Sequence, residues 1–357
     1  MLLGIFVLVV LIGISICPKV KLFEYVPLLF MCIAMSFSQN VPDFENYERV
    51  YNYISGGAVY IDTGVAWYYL CKIGCNVGLD YRQFTIVIYV LSFLLMNSTV
   101  KCYVHNYRNR IIIWTIYLLF PALLDAVQIR FFLAQAIVVF GFRFLSEKKI
   151  SGYIIYAVLC LLAASVHTSS VFYLVFLLGP ILHKIQKYLV GMVVFATIFM
   201  IFGRNIIYQI ASIFVNGLRI ERYFQSVEAV GKFGFIAYTA KFVLFWQIAK
   251  YCVGKKNVIT NKTITLEISE LYYQMSILIW MIIPLTLFDT NFFRIQRPMW
   301  LMLYVLLANM NEKRITHVKI GRFSSIKSRY LALGVSFLGF VFYICAFNIN
   351  VIAAFLL

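Results

Sequence analysis

The sequence predicts an all-α fold, a polytopic transmembrane helical bundle of about 12 spans forming a single integral membrane domain over residues 1–357. Three observations predict it. Of 357 residues, 63% are apolar or aromatic and 13% are charged, against roughly 25% charged in a soluble domain. Mean hydropathy is +0.88. The apolar residues also gather into runs on the scale of the roughly 20 residues that cross a bilayer. In water so apolar a surface would be adhesive, whereas hydrocarbon simply solvates it.

In chain order the runs are 2–17, 22–38, 83–104, 111–127, 131–146, 151–166, 170–183, 188–203, 234–252, 271–288, 297–310 and 330–347. The first lacks a basic leader and a small-residue cleavage site, so it reads as a span and not a signal peptide. Between the second and third lies an outer loop, 39–82. Its apolar piece 63–73 is too short to cross and reads as an interfacial or re-entrant helix. From 111 to 183 four short runs follow one another closely. The eight cysteines (Cys17, Cys32, Cys71, Cys75, Cys102, Cys160, Cys252 and Cys345) mostly lie in or beside apolar runs. No spacing among them suits zinc, and buried thiols are the expectation, although Cys71 and Cys75 are placed to approach one another outside.

Net charge is +17. A basic excess of this size suits nucleic acid only when it gathers on one soluble face; here it is spread over short loops, which excludes that class. Loops on alternate sides of the runs differ strongly. With the N-terminus outside, the inner segments hold 20 basic and five acidic residues, and the outer segments ten and nine. Lys241 alone is left within a span. Lys and Arg accumulate on the cytoplasmic side, so this bias orients the chain with its N-terminus outside.

That orientation sorts the polar motifs onto the outer side. In Pro42-Asp43-Phe44-Glu45-Asn46-Tyr47-Glu48-Arg49-Val50-Tyr51, the residues Asp43, Tyr47 and Tyr51 recur at i, i+4 and i+8, one face of a helix. A carboxylate backed by aromatic platforms suits a sugar; the alternative is an interfacial helix with tyrosine anchors. Next, Asp125-Ala126-Val127-Gln128-Ile129-Arg130 joins two apolar runs with no polar linker. An arginine at mid-membrane costs about 2.5–3.5 kcal/mol, so Arg130 points to function, with Asp125 as a structural partner the alternative. His167, in Ala163-Ala164-Ser165-Val166-His167-Thr168-Ser169, lies on the same side and is able to donate, accept or carry a proton. Its alternative role is a helix cap. The outer cationic loop 204–233 contains Arg219 and Arg222, whose forked donors match diphosphate oxygens. A final outer turn carries Asp289 and Arg294, and Pro298 is placed to start the next helix.

Together these motifs resemble the EpsG family of Wzy-like polysaccharide polymerases. The resemblance rests on Asp43, Tyr47 and Tyr51; on Gln128-Ile129-Arg130 followed by Ala134; on His167-Thr168-Ser169; and on Arg294. Their order spans most of the chain. One motif departs from the family, in which Arg-Gln is common: Arg130 precedes Phe131, and Gln128 stands on its other side. The resemblance implies an architecture like the multi-helical integral-membrane glycosyltransferases. It further implies that undecaprenyl-diphosphate-linked oligosaccharide repeats are both donor and acceptor, joined at the outer face of a bacterial cytoplasmic membrane. A flippase and a chain-length regulator are the expected protein partners, and no cofactor is implied.

The chemistry expected of the residues follows. Arg130, Arg219, Arg222 and Arg294 bind the departing diphosphate, which needs cations more than a proton donor. Asp43 or His167 takes the proton of the acceptor hydroxyl. Tyr47, Tyr51, Gln128 and Asp289 contact sugar, and no carboxylate cluster suggests a metal site. Other readings are a flippase or transporter of the same lipid-linked sugars, an O-antigen ligase and an acyltransferase. A transporter predicts buried ionisable groups and an internal repeat; only Lys241 lies deep, and no repeat is evident.

Overall fold

A computed structural model describes residues 2–13, 19–37, 43–59, 64–203, 206, 209, 232–254, 264–287, 290–312, 317–320, 324–327, 332–339 and 341. Arg204, Arg219, Arg222 and Asp289, and nearly all of the cationic loop, lie outside them. The described chain is helical apart from one two-stranded antiparallel ribbon, β1 (His317–Ile320) and β2 (Ser324–Lys327). The ribbon lies in a segment read as a loop, and the bundle itself is helical as expected.

The first half comprises α1 (Leu2–Leu11), α2 (Tyr25–Phe37), α3 (Phe44–Ser55), α4 (Val65–Asn76), α5 (Tyr81–Tyr103), α6 (Tyr107–Leu119), α7 (Ala122–Val127), α8 (Ile129–Ser146) and α9 (Ile150–Val166). Local chemistry sets several boundaries. Asp80 and Gln83 form a reciprocal capping box at the start of α5, Gln83 N to Asp80 Oδ1 being 2.8 Å. The Asn106 side chain accepts from the Arg108 amide at 3.0 Å and caps α6. The run 111–127, expected as one span, divides at Phe120 and Pro121 into α6 and α7. The Phe120 carbonyl, left over by that break, accepts the Tyr304 hydroxyl at 3.1 Å.

α8 is the axis of the bundle. Its apolar residues cover its whole circumference, and it is packed between α5 and α9, as an all-round apolar helix must be. Small residues bring helices close: a methyl group at Gly141 would meet the Tyr156 ring at 2.8 Å. Polar side chains then tie helix to helix, Thr99 to the Val139 carbonyl at 3.0 Å and the Trp114 indole to Asn97 at 3.1 Å.

The second half continues with a 3-10 run Thr168–Ile181, α10 (Leu182–Phe202), α11 (Lys232–Gly254), α12 (Ile264–Leu278), 3-10 runs Ile279–Leu287 and Thr290–Gln296, and α13 (Arg297–Glu312). Residues 184–187, expected as a loop between two spans, are helical. The run nevertheless divides near Pro180, where its tighter winding gives way to α-helix. Thr168–Ile181 packs on α9 and α12, while α10 packs on Ile279–Leu287. Gln186 reaches the Tyr273 hydroxyl at 3.0 Å.

Among the described residues, four helical stretches are long and apolar enough to cross a membrane: Tyr81–Tyr103, Ile129–Ser146, Thr168–Met200 and Glu267–Thr286. The shorter α9 exposes Ile150, Ile154, Val158 and Leu161 along its outer side, a surface suited to lipid. The expected short outer helix is α4, whose Val65, Tyr69 and Ile73 form an exposed apolar stripe at i, i+4 and i+8. Cys71 and Cys75 on α4 remain free thiols.

Charge divides the bundle into two ends. At one end, Arg110 Nε lies 2.7 Å and Lys101 Nζ 3.5 Å from the buried Glu24 carboxylate, and Lys148 pairs with Glu270. All five were sorted onto the inner side by sequence. At the other end lie Asp125, Arg130, His167 and Arg297.

Candidate functional site

Two helical segments begin at this second end, α8 at Ile129 and the 3-10 run at Thr168, and the junction of the run Thr290–Gln296 with α13 lies beside them. The two starts direct backbone N–H groups and a partial positive charge outward. Their first side chains meet around one ring. Phe131 lies edge-on to the His167 imidazole, centroids 5.3 Å apart. The Arg294 and Arg297 guanidinium carbons lie 5.9 Å and 5.3 Å from the Phe131 centroid. Arg130, the second residue of α8, donates to the Val166 carbonyl at 3.4 Å. Arginines gathered beside helix N-termini present forked donors and positive potential of the kind that suits an anion.

One carboxylate is built into the wall. Asp125 is fully buried, and its two oxygens accept from the Tyr117 hydroxyl and, at 3.3 Å, from Arg297 Nη1. The same Arg297 nitrogen donates to the Leu124 carbonyl at 3.1 Å. Asp125 therefore braces Arg297, where the sequence had suggested Arg130.

The segment between α2 and α5 forms the rim. Trp67 of α4 faces Arg130, whose guanidinium carbon is 6.0 Å from the ring, and Tyr47 of α3 packs edge-on to Trp67 at 6.3 Å. Burial pushes the Tyr47 phenol up; Arg130 and Arg294 oppose that shift and Asp43 reinforces it, so all four share one field. Gly64 fixes this contact. Its φ of +108° suits glycine, and a methyl group there would lie 2.7 Å from the Ser165 carbonyl oxygen. The α4 start is thereby pressed against the α9 end, beside the carbonyl that receives Arg130.

His167 is held by Ser169, Oγ to Nδ1 2.8 Å. Its pKa is lowered to about 3, first by burial and then by Arg294, Arg130 and Arg297. Near neutral pH it is a neutral ring among cations.

A family model, that of the EpsG family, matches the chain over residues 21–353. The chain belongs to the EpsG family. Its chemistry is accordingly of the polysaccharide-polymerase type, within exopolysaccharide biosynthesis, and it is a membrane protein. No curated protein and no solved structure matches the chain.

For this EpsG-family chain, the structure brings together Arg130, His167, Arg294 and Tyr47. Asp43 sits at the rim, at φ 71° just before α3, with its carboxylate exposed and unused as a cap. Gln128, the non-helical link between α7 and α8, has a buried side-chain oxygen with no hydrogen-bond partner. Tyr51, expected beside Tyr47, is turned inward: it is 2% exposed, and its hydroxyl donates to the Leu79 carbonyl at 2.8 Å. It packs on Tyr81 and Phe84 as an internal strut. Sequence reasoning passed over Arg297, Trp67 and Phe131 as site residues. The signal for Arg297 was present, since it follows Arg294 by one helical turn. Among the described residues, no group of three or more His, Cys, Asp or Glu is placed to hold a metal ion.

Proposed function

We propose that the chain joins undecaprenyl-diphosphate-linked oligosaccharide repeats into a capsular polysaccharide or exopolysaccharide, at the outer face of the bacterial cytoplasmic membrane. The observation that carries this is the convergence of Arg130, Arg294 and Arg297 with the starts of α8 and of the Thr168 run around His167 and Phe131. An acceptor sugar hydroxyl attacks the anomeric carbon of the donor with inversion. The bond from that carbon to the diphosphate oxygen breaks, its electron pair leaving with the lipid diphosphate. Fixed guanidinium groups aimed at the departing oxygens stabilise the charge where it develops. Arg219 and Arg222 add to them in this reading.

His167 or Asp43 takes the acceptor proton. The depressed basicity of His167 is partly the work of three arginines, and a bound diphosphate cancels their field. The ring thus becomes a stronger base once substrate is in place. Tyr47, Gln128 and Asp289 hold sugar; Trp67 extends the aromatic platform. The arginines supply the charge that Mg²⁺ would otherwise bring, so chelation of divalent metal should leave polymer formation by the reconstituted chain unchanged.

The loop charges support about 12 spans with the N-terminus outside. Grouping Glu24, Lys101, Arg110, Lys148 and Glu270 at the other end agrees with that sorting. The deciding experiment is chain-length analysis of surface glycan in cells carrying Arg130→Ala or His167→Ala chains that insert normally. Single lipid-linked repeats should accumulate at the outer face. Accumulation at the inner face would make the protein a flippase, and unchanged long chains in both variants would remove these residues from the site.

A further inference from the structure

Beside the arginine cluster the bundle opens into a groove of about 550 Å³ between α4, α5, α8 and α9, a size typical of ligand sites. Its walls include Tyr69, Leu95, Leu133, Phe140, Leu162 and Val166. The one serine among its lining residues, Ser165, spends its Oγ on the Leu162 carbonyl at 2.7 Å. From Leu133 to Phe140 the groove follows α8 for about 10 Å, at 1.5 Å per residue, away from the end that carries Arg130.

We infer that this groove seats the proximal isoprenoid units of the lipid diphosphate. Two features select this occupant. Val166 belongs to both places: it lines the groove and its carbonyl accepts Arg130. A ligand that fills both places carries an anionic group directly joined to a hydrocarbon chain. The groove is also roofed by α4, whose start is pinned on α9 through Gly64, so head group and chain are held by one element. The chain's long-axis position then sets how the diphosphate meets the arginines, which makes the groove a register for the reacting carbon. The assignment of the head group rests on the polymerase reading; the seat for the chain does not require turnover.

The test uses the full chain in nanodiscs and undecaprenyl diphosphate carrying a diazirine in its proximal isoprene units. Labelling is expected on Tyr69, Leu133 and Leu162, competed by unlabelled undecaprenyl diphosphate and not by phosphatidylglycerol. Leu162→Trp and Leu95→Trp, filling the groove from two helices, should each lower labelling about tenfold, equivalent to about 1.4 kcal/mol; Leu162→Ala should preserve it. Equal competition by phosphatidylglycerol would mean an ordinary lipid annulus and overturn the inference. So would labelling elsewhere, or unaltered labelling in both tryptophan variants. Specific labelling of the groove by a chain that forms no polymer from lipid-linked repeats would sink the polymerase reading while upholding the groove.

Discussion

The two ends of this bundle use the same residue types to opposite purposes. At the Glu24 end, Arg110 and Lys101 converge on one buried carboxylate, and Arg110 also donates to the Val104 and His105 carbonyls at 3.0 Å and 2.6 Å. Charge there is consumed in joining the turn Lys21–Glu24, which leads into α2, to α5 and α6. At the Arg130 end, Asp125 braces Arg297, and the guanidinium groups are spread around an aromatic ring beside helix starts. One end is closed electrostatically; the other, in the reading proposed above, receives an anion. Function should therefore fail at one end, and stability at the other.

The widest separation is expected from Arg130→Ala. Removing one donor aimed at developing charge typically costs about 10²–10³ in rate, roughly 2.7–4 kcal/mol. Polymer formed per folded molecule in proteoliposomes should fall by that factor, with the thermal unfolding midpoint in detergent unchanged. Arg130→Lys should recover only part of it, because an ammonium lacks the fork. A loss of stability without loss of turnover would reverse the assignment of the two ends.

The converse variant is Glu24→Ala. It strands Arg110, which is 6% exposed. Unpairing a buried charge costs about 3–5 kcal/mol, and the retained carbonyl contacts place this case near the lower figure. The unfolding midpoint should drop clearly, while the surviving folded fraction polymerises at the normal rate.

A smaller effect is expected at the hinge between loop and bundle. Gly64→Ala strains a left-handed backbone and forces α4 away from the Ser165 and Val166 carbonyls. Displacing the rim from Arg130 by a fraction of an ångström should reduce turnover about tenfold, since misplacement of 1 Å can cost about a hundredfold. Gly57, also at positive φ but with open space around it, is the control. Gly57→Ala should leave turnover near normal; an equal loss there would mean that the loop acts through general disorder.

What the sequence made legible follows from how each feature is encoded. Apolar runs and cap residues are local, so α5, α8 and α9 fall close to the expected runs. Orientation is a parity argument, and it placed Arg130, His167 and Arg294 on one side before any contact was visible. The Asp125–Arg297 pair, by contrast, joins α7 to α13 across 172 positions and depends on their packing. No local pattern encodes it. Tyr51 failed for a related reason: the i, i+4, i+8 face was read correctly, but α4 and α5 cover its far end. The break at Pro121 and the winding change at Pro180 were visible as residues; their consequences rest on neighbouring helices.

The finest test of the comparison is the pH dependence of His167, because it reads the field of the Arg130 end directly. In the free protein its pKa is about 3, so the ring stays neutral across ordinary pH. The acid limb of kcat/KM, which reports the free enzyme, should then carry no contribution from it between about pH 5 and 8. With the diphosphate bound, the cancelled arginine field lets the pKa rise toward the unperturbed value of about 6.5, and residual burial keeps it below. A raised pKa means more protonated ring at low pH, so kcat should fall as pH decreases through that value while kcat/KM stays level. His167→Gln should abolish the difference between the two profiles. If both profiles in the unaltered chain bend at the same pH, the arginines do not govern His167, and Asp43 is left as the base.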